Sequence, residues 1–504
     1  MKKDLDILFV HPNSASEIYQ ELSGTWSAIE PPIWASLLAK SCLSKGFNAE
    51  IMDCEAVQLN DADALYHIKN LSPRIACFVV YGQQPSASSQ NMEGAIRLAA
   101  KIKEHYPEIY ILFVGGTVSA LSKEILEKHP FIDFACQNEG VYTILDLLKV
   151  TDLDDTHQLE KVLGLAWQAN MPWIEGEDSW QVNLNPPAPI VPKEKLSIDL
   201  PGMAWDLLPM NYYRTALWHS LSNNTKRQPF ASLYTSLGCP FACSFCCINA
   251  PFGKSSFRYW DPEFIIKEFD EMASRGIVNV KIADELFVMN PNHFLKLCDL
   301  IIHRGYKFNI WCYARVDTVK EKYLDKLKRA GVNWLALGIE SANKKIRTEV
   351  IKGQYEDVDI QSVVKSIKDA GINIMGNYIF GLPEDNLDTM QETFTLAREL
   401  NTEGANFYSA MAYPGSPLYA QAVKEGIQLP DRYSGYSQHS YYTQPLSTKY
   451  LTAAEVLKFR DEAWYKYHTG IKYLELINKK FGPEACATTL DSAKIKLKRK
   501  ILGD

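Results

Sequence analysis

Between residues 231 and 413 the chain alternates strand-like and helix-like segments, and this alternation limits the folds that can bury it. Runs with strand character fall at 231–238, 278–287, 307–316, 334–341, 372–381 and 404–413. Amphipathic stretches at 262–275, 291–304, 320–330, 357–370 and 387–401 separate them. Gly276, Gly305, Gly331 and Gly371 stand where a helix's last turn is closed by a left-handed residue. A strand that crosses through a helix to a parallel neighbour does so right-handed, so repeated units curl into a parallel barrel or part of one. Ligands gather at the C-terminal ends of such strands.

The loop after the first strand reads Cys239-Pro-Phe-Ala-Cys243-Ser-Phe-Cys246, with its cysteines four and three positions apart. Three thiolates can hold three irons of a cubane and leave the fourth open to a substrate or cosubstrate, whereas an electron-carrying cluster normally takes four protein ligands. Structural zinc wants four closed ligands, often as two C-x2-C-like halves. No matching second half follows downstream.

This C-x3-C-x2-C spacing, with Phe245 before the last cysteine, resembles the radical S-adenosylmethionine (SAM) superfamily. The resemblance makes Cys239, Cys243 and Cys246 the ligands of a [4Fe-4S] cluster whose open iron binds SAM. Cys247 breaks the family spacing and reads as a packed thiol. The ends of the later strands carry further likenesses. Asp284 and Glu285 stand in the family's acidic segment after strand two, with a helix N-cap of solvated acids as the alternative. Arg315 stands in an R-x-D segment near the methionine carboxylate, or simply pairs with Asp317. Glu340 and Ser341 match the G-x-E-S segment near the ribose. Ile379 and Gly381 match the adenine-contacting segment, although Asn377 replaces its first glycine. Phe245 is counted among the cofactor contacts.

The first 150 residues form a different unit. Strand-like runs at 6–11, 49–53, 75–81, 109–114 and 133–135 alternate with helical stretches at 32–44, 91–105 and 122–128, the pattern of a Rossmann-like doubly wound sheet. Ligands of such sheets bind at the strands' carboxyl ends, here 11–16, 82–86 and 115–117. No G-x-G-x-x-G is present, so a nicotinamide site is poorly supported. A unit of this kind ahead of the barrel resembles the cobalamin-binding domain of cobalamin-dependent radical SAM enzymes. It carries Pro31-Pro32, Gly115-Gly116 and an Asn-Glu-Gly segment ending at Gly140. The resemblance places Gly82, Ser86, Gly115 and Gly116 against cobalamin, the glycine pair having a tight βα turn as its alternative. The D-x-H-x-x-G motif that supplies an axial histidine is absent, so His11 reads as structural or as a second-sphere group.

Residues 151–224 read as a linker, with a short strand-like stretch at 162–168 and a proline-rich run at 185–189. The barrel occupies 225–425, and 426–504 is a mostly helical, aromatic-rich region placed to cap the barrel and define the substrate. Hydrophobic residues at 46% and charged residues at 22% describe a folded globular protein. A formal net charge of -7 gives no bias toward nucleic acid, and the basic run 494–500 reads as a solvated helix face. Eleven cysteines, three of them clustered, fit reduced thiols, and with no apolar stretch of membrane-spanning length the expected location is cytoplasmic.

The resemblance implies a radical SAM methyltransferase. A 5′-deoxyadenosyl radical abstracts hydrogen from an unactivated carbon of a small molecule, methylcobalamin delivers the methyl group, and a donor such as flavodoxin or ferredoxin supplies the electron. A cobalamin-dependent cyclase or oxidoreductase uses the same domains. A transfer-RNA methylthiotransferase-like enzyme would need a second cluster, for which Cys42, Cys54 and Cys77 are too scattered.

Overall fold

The structure is a computed structural model that describes residues 5–82, 85–170, 180–221, 226–350 and 358–504. Its N-terminal strands are β1 (Ile7–His11), β2 (Ala49–Asp53), β3 (Ile75–Val79), β4 (Tyr110–Val114) and β5 (Phe134–Cys136). The runs ILFVH and IACFV are buried at every position, as strands covered by helices on both faces must be. These five strands are parallel in the order β2-β1-β3-β4-β5. That order places a topological switch between β1 and β3, where the connections leave in opposite directions and open a crevice.

The sheet then continues into the region expected to be a linker. Strand β6 (Leu165–Asn170) pairs antiparallel with β5, and β7 (Trp180–Leu184) pairs antiparallel with β6. Part of the 151–224 stretch is thus sheet. Strand β5 alone would leave an unpaired edge, and Asn185 locks the addition in place. Its amide donates to the Leu159 and Val162 carbonyls at 2.7 and 2.8 Å, and its oxygen accepts the Trp167 indole N–H at 3.0 Å.

The second sheet begins at β8 (Phe230–Leu233). A short antiparallel pair, β9 (Ser236–Leu237) with β10 (Arg258–Tyr259), brackets the cysteine loop. The remaining strands are β11 (Asn279–Ile282), β12 (Asn309–Arg315), β13 (Val332–Glu340), β14 (Asn373–Phe380) and β15 (Gly404–Ser409). All six long strands are parallel, in the order β15-β14-β13-β12-β11-β8, and no pairing joins β8 to β15 among the described residues. The result is an open six-stranded barrel wall. Helices Pro262–Ser274, Pro291–Arg304, Ile360–Asp369 and Leu387–Leu400 start on capping side chains of Asp261, Asn290, Asp359 and Asn386. The second strand is shorter than the expected 278–287 because Asp284 turns away to bind the loop before the cysteines.

The C-terminal helices Ala453–His468, Ile471–Phe481 and Pro483–Ala493 pack at the β15 edge of the barrel, the first on β15 and the other two on the first. Arg460 donates to the Phe407 carbonyl at 2.7 Å and Tyr467 to the Thr402 carbonyl at 2.9 Å, so the first of them lies along β15. One apolar core runs from Ile7 of the first sheet through Trp205 and Trp260 to Ile477 of the tail.

A buried ion pair fastens the two sheets together. Arg258 on β10 meets Glu139 at 2.7 and 3.3 Å, with side chains 7% and 1% exposed. Arg258 also donates to the Val191 carbonyl at 2.6 Å, and the Val191 N–H donates to Glu139 at 2.5 Å. Removing one partner strands a charge in the core. Glu139→Ala should therefore destabilise the chain by about 3–5 kcal/mol, measured by urea unfolding, and Arg258→Ala by a similar amount.

Candidate active site

The cysteine loop leaves the barrel at the C-terminal end of β8 and is held from three sides. Asp284, only 1% exposed, accepts the Thr235 N–H at 2.5 Å and the Thr235 and Ser236 hydroxyls at 2.6 Å each. Glu285 accepts the Gly238 N–H at 3.1 Å, one residue before Cys239. From the far side Leu418 donates to the Ser244 carbonyl at 2.9 Å, and Ser119 of the N-terminal unit donates to the Ala250 carbonyl at 3.1 Å.

Within this frame Cys239, Cys243 and Cys246 are all partly exposed, whereas Cys247 is buried, as a packed thiol should be. Burial pushes the Cys239 and Cys243 thiols up, to about 11 and about 12, while the nearby Arg315 guanidinium pulls against it. The Cys246 thiol is raised further, again by burial first, and it also feels Cys247, Cys243 and Cys239. Metal binding must release the protons of these thiols. A cubane takes its three thiolates on three different irons, and Cys239, Cys243 and Cys246 offer three on one loop. The donor set fits the cluster.

Arg315 stands beside these thiols. It grips Asp317 through two hydrogen bonds at 2.9 and 2.8 Å, and its guanidinium lies 3.7 Å from the centroid of Phe241, inside the cysteine loop. The ion pair with Asp317 is thus real, and it presents the guanidinium to the cluster loop.

Glu340 ends β13 in a left-handed conformation, φ 64°, where the register with β14 shifts. A non-glycine residue in that region is strained, and such strain concentrates at functional sites. Gly338 makes room for it: a β-carbon there would stand 2.6 Å from Glu340 Oε1. Burial raises the Glu340 carboxyl to about 7, with Arg315 opposing, and raises Glu285 to about 8. Both would give up a proton readily beside a bound cation.

Other expected contacts are spent on the chain itself. Asp284 is buried and not a solvated acid, and both of its oxygens hold the strand end. Ser341 shares its hydroxyl with Thr393 at 3.1 Å and accepts the Asn343 N–H at 3.2 Å, which starts the next helix. Gly381 admits the tail, since a β-carbon there would lie 2.4 Å from Val456 Cγ1. Ile379 is 7% exposed within the main core. Phe245 packs against Ala412 and Leu418, tying the loop to the segment after β15. Gly115 answers to backbone packing, for its β-carbon would meet the Val80 carbonyl at 2.3 Å; Gly116 faces Ser88 at 3.4 Å. Gly82 lines a cavity, whereas the side chain of Ser86 lies outside the described residues. Cys42, Cys54 and Cys77 are each at most 1% exposed; Cys42 and Cys77 pack in the main core near Cys136, and Cys54 packs in a separate one.

Residues 233–397 match the radical SAM superfamily. The barrel is a radical SAM domain. Around it, the chain is 26% identical to an uncharacterised methyltransferase of Pyrococcus horikoshii over 473 residues, 94% of each. It is 23% identical to an anaerobic magnesium-protoporphyrin IX monomethyl ester cyclase of Cereibacter sphaeroides, covering 90% of this chain and 68% of that one. The fold is shared with the radical SAM methyltransferase TsrM of Kitasatospora setae, solved with cobalamin and a [4Fe-4S] cluster. There the TM-score is 0.65 at 15% identity, covering 97% of this chain and 100% of the other. It is shared too with the cobalamin-dependent radical SAM enzyme OxsB, with a TM-score of 0.65 at 17% identity, covering 98% and 71%.

Sequence reading missed the cavity beside this radical SAM site. About 460 Å³ in volume, it reaches from His11, Trp34, Tyr81 and Gly82 at the β1/β3 crevice to Lys281, Met375 and Tyr408 on barrel strands. A visible signal was Lys281, the one cation in the strand at 278–287.

The raised Glu340 carboxyl predicts a pH effect on the cofactor-free chain. Folded protein binds a proton there that unfolded protein releases near the ordinary value of 4.5, so stability should fall as pH rises from about 4.5 to about 7. Chemical denaturation across that range should show a smaller fall in Glu340→Gln.

Proposed function

We propose that this chain is a cobalamin-dependent radical SAM methyltransferase acting on an unactivated carbon of a small molecule. The observation that carries the reading is a coincidence in space. The cavity reaches from the β1/β3 crevice of a doubly wound sheet to Tyr234, at the end of the strand that leads into the three-cysteine loop, and Tyr234 feels the charges of Glu285 and Asp284. The full-length likeness to a methyltransferase and the shared fold with TsrM and OxsB support it.

In this reading Cys239, Cys243 and Cys246 hold the cluster. Arg315, Glu285 and Glu340 supply polar contacts to SAM, and Gly82 lies against cobalamin. When bound, these groups supply a 5′-deoxyadenosyl radical for hydrogen abstraction and a methyl group for the carbon radical so made. The chain's own residues position and shield. Asp284 fixes the loop's entry, Glu340 is held beside Arg315 by a strained backbone, and the tail helps wall the cavity against water. A radical SAM enzyme needs a reductant, and we assign that role to a small carrier such as flavodoxin or ferredoxin.

A second reading, oxidative cyclisation, rests on the cyclase likeness across 90% of this chain. A product that gains a methyl group supports methyl transfer, and one that loses hydrogens without gaining carbon supports cyclisation.

After anaerobic reconstitution with iron, sulfide and cobalamin, the wild-type chain should show cluster and corrin absorbance and release 5′-deoxyadenosine from SAM. Cys243→Ala should lose that release by at least about a hundredfold while Cys247→Ala stays within about twofold, because only the former removes a thiolate ligand. Failure to retain corrin would remove the cobalamin half.

A further inference from the structure

The cavity's wall is unusual for the number of ionised side chains it carries and for how they are arranged. Lys281, 9% exposed on β11, meets both oxygens of Glu30 from the N-terminal unit at 3.0 and 2.9 Å. Glu55 lies 3.5 Å from His11. Glu403 meets Lys480 at 2.6 Å and accepts the Ile374 N–H at 2.9 Å. Arg460 meets Asp461 at 2.6 Å. Arg499 shares that Asp461 at 3.0 Å and also feels the charge of Asp504, so two arginines stand against two carboxylates.

The remaining titratable groups of the wall carry no charge at neutral pH. Burial lowers His439 to about 3 and His468 to about 4, and the latter keeps its Nδ1 against the Trp464 carbonyl at 2.9 Å. Between the paired charges the wall is aromatic: Trp34 stacked on Tyr81 at 4.4 Å, with Tyr234, Trp218, Tyr408 and Trp464. Thr488, Thr489 and Ser492 of the last helix line it, and none of them is charged.

We propose that the barrel end of this cavity is the substrate chamber, the β1/β3 end being left to cobalamin, and that it takes an uncharged, ring-bearing molecule, because the ionised side chains of its described wall there, Lys281, Glu403 and Arg460, are each already balanced by a protein counter-charge. An anion or cation entering would be stripped of water without gaining a partner, or would have to break a buried pair. A neutral ring system instead gains stacking and apolar contact on the aromatic faces. The inference rests on the small-molecule methyl transfer read above, and it narrows the class of substrate.

The test uses the full chain without cofactors and two dyes of one frame, neutral N-phenyl-1-naphthylamine and its sulfonated relative 1-anilinonaphthalene-8-sulfonate. Fluorescence titration should show the neutral dye binding at least about ten-fold more tightly. Thr488→Trp, which adds a large ring to the chamber's wall, should weaken the neutral dye by about ten-fold or more. Glu30→Gln leaves Lys281 without its counter-charge and should strengthen the sulfonate by about ten-fold while leaving the neutral dye unchanged. Should that variant fail to fold, Lys480→Gln bares Glu403 and should raise affinity for the cationic dye auramine O. Equal affinity for the two dyes, a neutral dye insensitive to Thr488→Trp, or a charged dye unmoved by the charge-baring variants would overturn the proposal. Release of 5′-deoxyadenosine by loaded protein reads the enzymatic assignment separately. Its absence alongside the expected dye pattern sinks that assignment and leaves a neutral chamber, whereas the reverse pattern sinks only the chamber.

Discussion

The pairing of Glu139 with Arg258 is the contact on which the arrangement of this protein turns. Arg258 is the residue opposite Leu237 in the short ladder that launches the cysteine loop. Glu139 opens the last helix of the parallel part of the N-terminal sheet, and the two meet with almost no exposure to water. Two separate domains could each fold around their own strands without it. What the pair adds is register: a charge removed from water is tolerated only where its partner waits, so the sheets can dock in few other ways. The Asn-Glu-Gly segment, noticed first as a likeness to cobalamin-binding domains, thereby gains a physical role.

A second buried pair, Glu30 with Lys281, acts at the other end of the interface, inside the barrel. Together the two pairs fasten the N-terminal unit to the barrel, and Glu30 and Lys281 stand in the wall of the cavity. Radical chemistry needs an enclosed site, because a reactive carbon intermediate is quenched by any poorly placed neighbour. The tail completes the wall. Its first helix approaches so closely that only glycine fits at position 381.

Several residues whose types suit cofactor contact prove to serve the backbone. Asp284 is the clearest case, since a carboxylate at a strand end can bind a ligand or fasten a neighbouring strand, and its chemistry is the same in both roles. Three short hydrogen bonds to Thr235 and Ser236 show it in the second. Gly115 and Gly381 repeat the lesson with close packing, each accommodating a neighbour far away in sequence. Glu340 goes the other way. Its left-handed backbone could not be read from Gly-Ile-Glu-Ser, yet it strengthens the case for the site.

The strand and helix pattern, the parallel order of both sheets and the open-iron cysteine loop were all legible in the amino-acid sequence, because periodicity, helix caps and ligand spacing are local properties. The strand-like stretch at 162–168 was legible too and overlaps β6, but its antiparallel pairing onto the N-terminal sheet and the addition of β7 were not, since the choice of partner strand is made by tertiary contact. Nor was the cavity. Its charges come from Glu30, Lys281, Glu403, Arg460 and their partners, spread over more than 400 positions, and whether a charge is free or balanced depends on which distant side chain folding brings within reach. The sequence by itself determined the chemistry the barrel can start; only the tertiary structure decided what surrounds it, because counter-charges and close contacts are made between residues that the chain does not place side by side.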